Sequence, residues 1–132
     1  MSKILVAEDD SFLVNAYRVK LSKAGFEVKI ARDGQETMES PATFIPDLIL
    51  LDLMMPVKDG FAVLKELKAN EKWKAIPVIV ASNLGQKEDL DKAMQLGATD
   101  FVIKSDLALA DLITKINTQL GDINPAGSPS SA

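Results

Sequence analysis

Five polar residues have the types and positions to do chemistry together: Glu8, Asp9, Asp52, Ser82 and Lys104. Asp52 closes the apolar run Leu48-Ile49-Leu50-Leu51, and Pro56 and Gly60 break the chain soon after it. Glu8-Asp9-Asp10 closes Lys3-Ile4-Leu5-Val6-Ala7, Ser82 closes Ile76-Pro77-Val78-Ile79-Val80-Ala81, and Lys104 closes Asp100-Phe101-Val102-Ile103. Carboxylates brought within about 4 Å repel by roughly 4 kcal/mol per pair at an effective dielectric near 20. Such a group is stable only with protons, a lysine or a metal. Oxygen-only ligands favour Mg²⁺ or Ca²⁺, and Mg²⁺ characteristically keeps waters and adds a substrate phosphate. A lysine and a hydroxyl beside that ion could clamp the oxygens of a phosphoryl group bonded to Asp52.

Each residue also has a plainer reading. Glu8-Asp9-Asp10 suits the start of a helix, where the macrodipole favours negative charge. Ser82 suits a cap or turn, and Lys104 suits a solvated surface. Asp52 suits a helix cap, but Asp59 already stands one residue before the Gly60-Phe61 helix start. The pattern outweighs its parts because all four positions fall where predicted strands end.

The elements that would position these residues follow from periodicity. Lys3 to Ala7 reads as a buried strand. Phe12, Leu13, Ala16, Tyr17, Leu21 and Ala24 recur at helical spacing until Gly25 stops the helix. Phe26 to Ala31 alternates apolar and charged residues, as an edge strand does. Asp33-Gly34 turns into a short helix that runs to about Ser40, before Pro41. Leu48 to Leu51, four apolar residues in a row, suits a strand buried on both faces. Phe61, Val63, Leu64 and Leu67 mark a helix to about Asn70. Ile76 to Ala81 is a fourth strand, with Pro77 at its start. A helix from about Gln86 to Leu96 is closed by Gly97, and Asp100 to Ile103 is the fifth strand. Asp106 caps a last helix whose Leu109, Leu112, Ile113, Ile116 and Leu120 face inward. Strand and helix thus alternate five times, which predicts a parallel sheet with helices on both faces and right-handed crossovers. The strand ends of such a sheet share one rim, where residues distant in sequence meet.

Composition narrows the function. With 132 residues the chain holds one domain comfortably: residues 1–120 form it, and the Gly/Pro/Ser-rich stretch 121–132 reads as a flexible tail or linker. Lys plus Arg number 15 against 19 Asp plus Glu, a net charge of −4, which argues against a nucleic-acid surface. No apolar run reaches membrane-spanning length and no leader opens the chain, so no membrane partner is expected and the place is cytoplasmic. Histidine and cysteine are absent, which removes Ser-His and Cys-His nucleophiles and the usual zinc ligands. No glycine-rich phosphate loop follows any strand.

These residues resemble the receiver domain of two-component response regulators, over about Lys3 to Leu120. The most specific piece is Pro46-Asp47-Leu48-Ile49-Leu50-Leu51-Asp52-Leu53-Met54-Met55-Pro56 through Asp59-Gly60. Ile4 to Asp10, Pro77 to Ser82 and Gly97 to Lys104 support it. The resemblance implies a flavodoxin-like α/β three-layer sandwich with five helices and a five-stranded parallel sheet of order 2-1-3-4-5, an order taken over rather than derived. It implies that Asp52 is the phosphoacceptor, served by a sensor histidine kinase or phosphotransfer protein. Glu8, Asp9, Asp52 and the Met54 backbone carbonyl would hold Mg²⁺, with Asp9 the direct acidic ligand and Glu8 acting through water. Lys104 and Ser82 would bind the phosphoryl oxygens, and Ser82 and Phe101 would switch when Asp52 is modified. The fourth helix, fifth strand and fifth helix would form the output face for an unknown downstream partner. Such a chain is no enzyme toward an outside substrate; it catalyses only its own phosphoryl transfer and slow self-dephosphorylation.

Two departures bear on these expectations. Ser105 follows Lys104 where the family has a proline in a cis bond, and a cis bond to a non-proline costs about 2.5–4 kcal/mol. A trans bond with a reshaped loop, or strain, is expected. Asn83 stands where the family has a small residue. At the two positions that tune the phosphoryl lifetime, Met54 and Leu84 are apolar and cannot orient water, which predicts slow loss. The alternative is a receiver-like interaction scaffold that works without phosphorylation. An aspartyl-phosphate hydrolase of the haloacid-dehalogenase type would need an Asp where Met54 stands.

Overall fold

The computed structural model describes residues 2–40, 44–53, 60–82, 87–103 and 109–120. The loop Met54 to Asp59, the Asn83 to Gln86 segment, Lys104 to Ala108 with its Lys104-Ser105 bond, and the 121–132 stretch lie outside the described residues.

Five strands alternate with five helices: β1 Lys3–Ala7, α1 Ser11–Lys23, β2 Glu27–Ala31, α2 Gly34–Glu39, β3 Leu48–Asp52, α3 Gly60–Ala69, β4 Val78–Ser82, α4 Lys87–Gln95, β5 Asp100–Ile103 and α5 Leu109–Gln119. The sheet is parallel throughout, in the order β2-β1-β3-β4-β5. The partly exposed, charge-alternating β2 is indeed at an edge, and all five residues of β3 are buried in the middle. Parallel strands need crossovers, and the helices supply them while covering both faces.

The two faces carry two cores. One gathers Leu5, Ile49, Leu51, Val78 and Val80 under Val63, Leu64 and Leu67 of α3 and Ala93 of α4. The other gathers Ile4, Val6, Leu48, Leu50, Ile79 and Val102 under Tyr17 and Leu21 of α1 and Leu112 and Ile116 of α5. Side chains alternate along a strand, so odd positions of β1 and β3 face α3 and α4, and even positions face α1 and α5.

Helix ends are set by identifiable residues. Asp10 caps α1, its Oδ1 accepting from the backbone N–H of Phe12 at 2.9 Å and of Leu13 at 3.2 Å. Asp33 caps α2 through the N–H of Glu36 at 2.8 Å. Gly25, at φ 96°, ends α1 in the left-handed region that glycine adopts freely.

Two expectations need adjustment. The fourth strand runs Val78–Ser82 rather than from Ile76 to Ala81. Ladder partners decide its ends: Val78 pairs with Ile49 and Ser82 with Ile103. Pro77 has no N–H to give and contributes only its carbonyl, which accepts from the Ile49 N–H at 3.0 Å. On α1 the buried stripe is Val14, Tyr17 and Leu21. Phe12, at helical spacing in the sequence, is 80% exposed in the first turn.

Candidate functional site

Alternation along the strands builds the site. Ala7 of β1 stands beside Leu51 of β3. One step further are Glu8 and Asp52, both at even positions and so on the face covered by α1 and α5. Glu8 prolongs the ladder, its N–H donating to the Ala31 carbonyl at 2.9 Å. Asp9 follows at the surface. One carboxylate oxygen from each of Glu8, Asp9 and Asp52 lies within 4.8 Å of the others. Glu8 is 1% exposed and Asp52 3%, whereas Asp9 is open to water. Asp10 stays out of this group as the helix cap. Its own N–H donates to Glu8 Oε2 at 3.2 Å, which helps fix that carboxylate.

The far side of Asp52 is held by close backbone contact. The Gly60 N–H donates to the Leu53 carbonyl at 3.0 Å. A Cβ on Gly60 would lie 2.5 Å from the Asp52 carbonyl oxygen and from the Leu53 Cα. Only glycine lets α3 start this close to the strand that presents the carboxylate.

The donor set decides whether a divalent cation fits. Three carboxylates, two of them buried, crowd like charge in a low-dielectric corner, an arrangement that a hard cation relieves. The ligands are oxygen only, and Asp9 leaves one side open to water. The residues fit a Mg²⁺-type ion.

A further polar group on the same face escaped sequence reasoning. Tyr17 of α1 is 1% exposed, and its hydroxyl has no hydrogen-bond partner among the described residues. Burial first, then the charges of Glu8, Asp52 and Asp10, hold this phenol well above its ordinary range, so it stays protonated. In the sequence it was simply one member of an apolar stripe. The available signal was a tyrosine among aliphatic residues, because a buried Tyr usually has a use for its hydroxyl.

The other expected site residues are placed less completely. Ser82 ends β4 opposite Ile103, at the same rim as Asp52. Phe101 on β5 is half-buried and packs against the core beneath α3 and α4. Met54, Leu84 and Lys104 lie outside the described residues.

The profile of the response regulator receiver domain matches residues 4–117. The chain belongs to this family. Receiver domains are the regulatory modules of two-component systems, and the strand order found here is theirs. This receiver is 36% identical over 104 residues to the DNA-binding dual master transcriptional regulator RpaA of Synechocystis, across 79% of this chain and 43% of that protein. The chain spans less than half the length of the curated relatives it matches. Among solved structures, the receiver domain of Francisella response regulator 1452 superposes with a TM-score of 0.84 at 30% identity, covering 92% of this chain and 98% of that one. The receiver domain of sensor histidine kinase PA1611 from Pseudomonas aeruginosa, solved with a magnesium ion coordinated in the active site cleft, superposes equally well, at 0.84 and 26% identity, with 92% and 98% covered. Among the described residues, no helix is long and apolar enough to cross a membrane.

Proposed function

We propose that this receiver accepts a phosphoryl group on Asp52 in a Mg²⁺-dependent reaction, from a sensor histidine kinase or phosphotransfer protein in the cytoplasm. The observation that carries the reading is the convergence of the Glu8, Asp9 and Asp52 carboxylates within 4.8 Å, two of them buried, at the end of the central strand.

The division of labour follows from position. Asp9 would be a direct ligand of the cation, Glu8 would act through water, and Asp52 and the Met54 carbonyl would complete the set. A bound cation would supply charge neutralisation for the transferring group and the three carboxylates. Asp52 attacks phosphorus in line, and the donor's leaving group departs on the opposite side. Lys104 and the Ser82 hydroxyl hold the phosphoryl oxygens. With Met54 and Leu84 apolar, nothing at those positions orients an attacking water, so the acyl phosphate is long-lived.

The output face is α4, β5 and α5, read by a downstream partner. Lys92 of α4 sits 4.5 Å from the Phe61 ring centroid of α3. The Lys115 Nζ of α5 donates to Asp100 Oδ2 of β5 at 3.0 Å. The first contact ties α4 to α3, and the second ties α5 to β5, a strand of the sheet whose rim bears Asp52. Ser82 and Phe101 relay the change.

The test is incubation with Mg²⁺ and acetyl phosphate, followed by intact mass. A gain of one phosphoryl group in the wild type, lost in Asp52→Asn and on chelation, supports the reading. No gain, or a gain that survives Asp52→Asn, overturns it and leaves the scaffold alternative. Mass is the right probe because Trp73 packs against the core beneath α3 and α4, on the other face of the sheet. Replacing Met54 with Asn and Leu84 with Glu should shorten the lifetime of the label.

A further inference from the structure

Tyr17 is a buried hydroxyl that the reading above leaves without a task. Its ring fills the core between α1 and the sheet, a job phenylalanine would do without burying a polar atom. Its hydroxyl is enclosed and, among the described residues, unpartnered, whereas most buried polar side-chain atoms have at least one partner. Its surroundings are specific. Tyr17 packs on the sheet face that carries Glu8 and Asp52, and the charges that act on it most are those two and Asp10. The phenol keeps its proton there, so toward an anionic site it can only donate.

A direct bond to a carboxylate does not explain it. Glu8 exerts the largest of the three charge effects, yet the hydroxyl makes no hydrogen bond to it. An intervening water would join the two. Mg²⁺ dehydrates reluctantly and keeps several waters when one or two carboxylates hold it. The groups outside the ligand shell normally fix the orientation of what lies within it.

We propose that Tyr17 is a positioning residue for the cation site: its hydroxyl donates to a water in the shell of the divalent ion held by Glu8, Asp9 and Asp52. The proposal rests on the cation site of the preceding section and adds to it a residue from α1. It makes the hydroxyl's burial unfavourable in the empty site and favourable in the filled one, so cation binding and packing of α1 reinforce each other.

The test is calorimetric titration of the full chain with MgCl₂, without any phosphodonor. Tyr17→Phe keeps the ring and removes only the hydroxyl. It should bind Mg²⁺ roughly tenfold or more weakly than the wild type, the scale seen when an outer-shell partner is lost. Its melting temperature in chelator should equal or exceed the wild type's, while the rise on adding Mg²⁺ should be smaller. A purely structural role for Tyr17 would leave both Mg²⁺ readouts unmoved. Affinity within about twofold of wild type, outside the loss expected for an outer-shell partner, overturns the role of Tyr17 and leaves the cation site standing. Failure of the wild type to bind Mg²⁺, or undiminished binding by Asp9→Ala, overturns both.

Discussion

Among the described residues, charge is drawn out of water on α3, where Lys68 is half-buried, and at the strand rim, where Glu8 and Asp52 are buried, and the two places are arranged in opposite ways. On α3 the Lys68 ammonium turns inward and donates to the backbone carbonyls of Lys74 at 3.1 Å and Ile76 at 2.8 Å. Burial pushes it below its ordinary value, but both acceptors are carbonyls of the turn after α3, the one at Ile76 partly buried. At the strand rim, Glu8, Asp9 and Asp52 bring three negative groups within 4.8 Å of one another. Where charge serves the fold, it meets opposite partial charge. Where it serves chemistry, like charges are also brought together, beside donors such as the Asp10 N–H from which Glu8 accepts, and a cation would relieve that crowding.

The contrast can be broken most strongly at Lys68. Lys68→Met should keep the apolar stem but strand the carbonyls of Lys74 and Ile76, costing about 1–3 kcal/mol of stability in urea unfolding. Mg²⁺-dependent phosphorylation at saturating donor should remain. Asp52→Asn should do the reverse. Measured in chelator, it should be more stable than the wild type, the direction of the stability–activity trade-off, while accepting no phosphoryl group. A loss of stability in that variant would mean that the carboxylates are held by something other than mutual crowding.

Asp9 and Asp10 sharpen the same comparison at adjacent positions. Asp10→Ala removes the cap of α1 and should cost about 1 kcal/mol, with Mg²⁺ binding largely kept. Asp9→Ala should leave stability in chelator unchanged or higher and lose Mg²⁺ binding. The smallest effect is in pH. The folded-state value of Lys68 is lowered, so the unfolded chain holds that proton more tightly. Stability should therefore rise with pH on approaching the ordinary lysine value of about 10.4. Relative to Lys68→Met, the wild type should show this rise between the folded and unfolded values and none below them.

Most of the architecture was legible because each strand is a short apolar run and each helix has a capping residue or a glycine near its end. Leu48 to Leu51 could hardly be anything but a central strand, and the strand ends alone put Glu8 and Asp52 at one rim. Two things were not legible. The limits of β4 depend on which backbone groups its neighbours offer, which hydrophobicity does not encode. The phase of α1 depends on Asp10: once its carboxylate caps Phe12 and Leu13, Val14, Tyr17 and Leu21 face the sheet and Phe12 faces water. Tyr17 was hidden for a related reason. A sequence pattern scores its ring as apolar and says nothing of where the oxygen ends.

The seat of Gly60 against Asp52 and Leu53 has a mechanical consequence. Backbone touches backbone there, with no side chain between to act as a cushion. The first turn of α3 and the tip of β3 are therefore coupled as one stiff joint. A displacement of the tip of β3 is passed directly to the first turn of α3. Even the smallest added side chain, Gly60→Ala, would wedge that joint open.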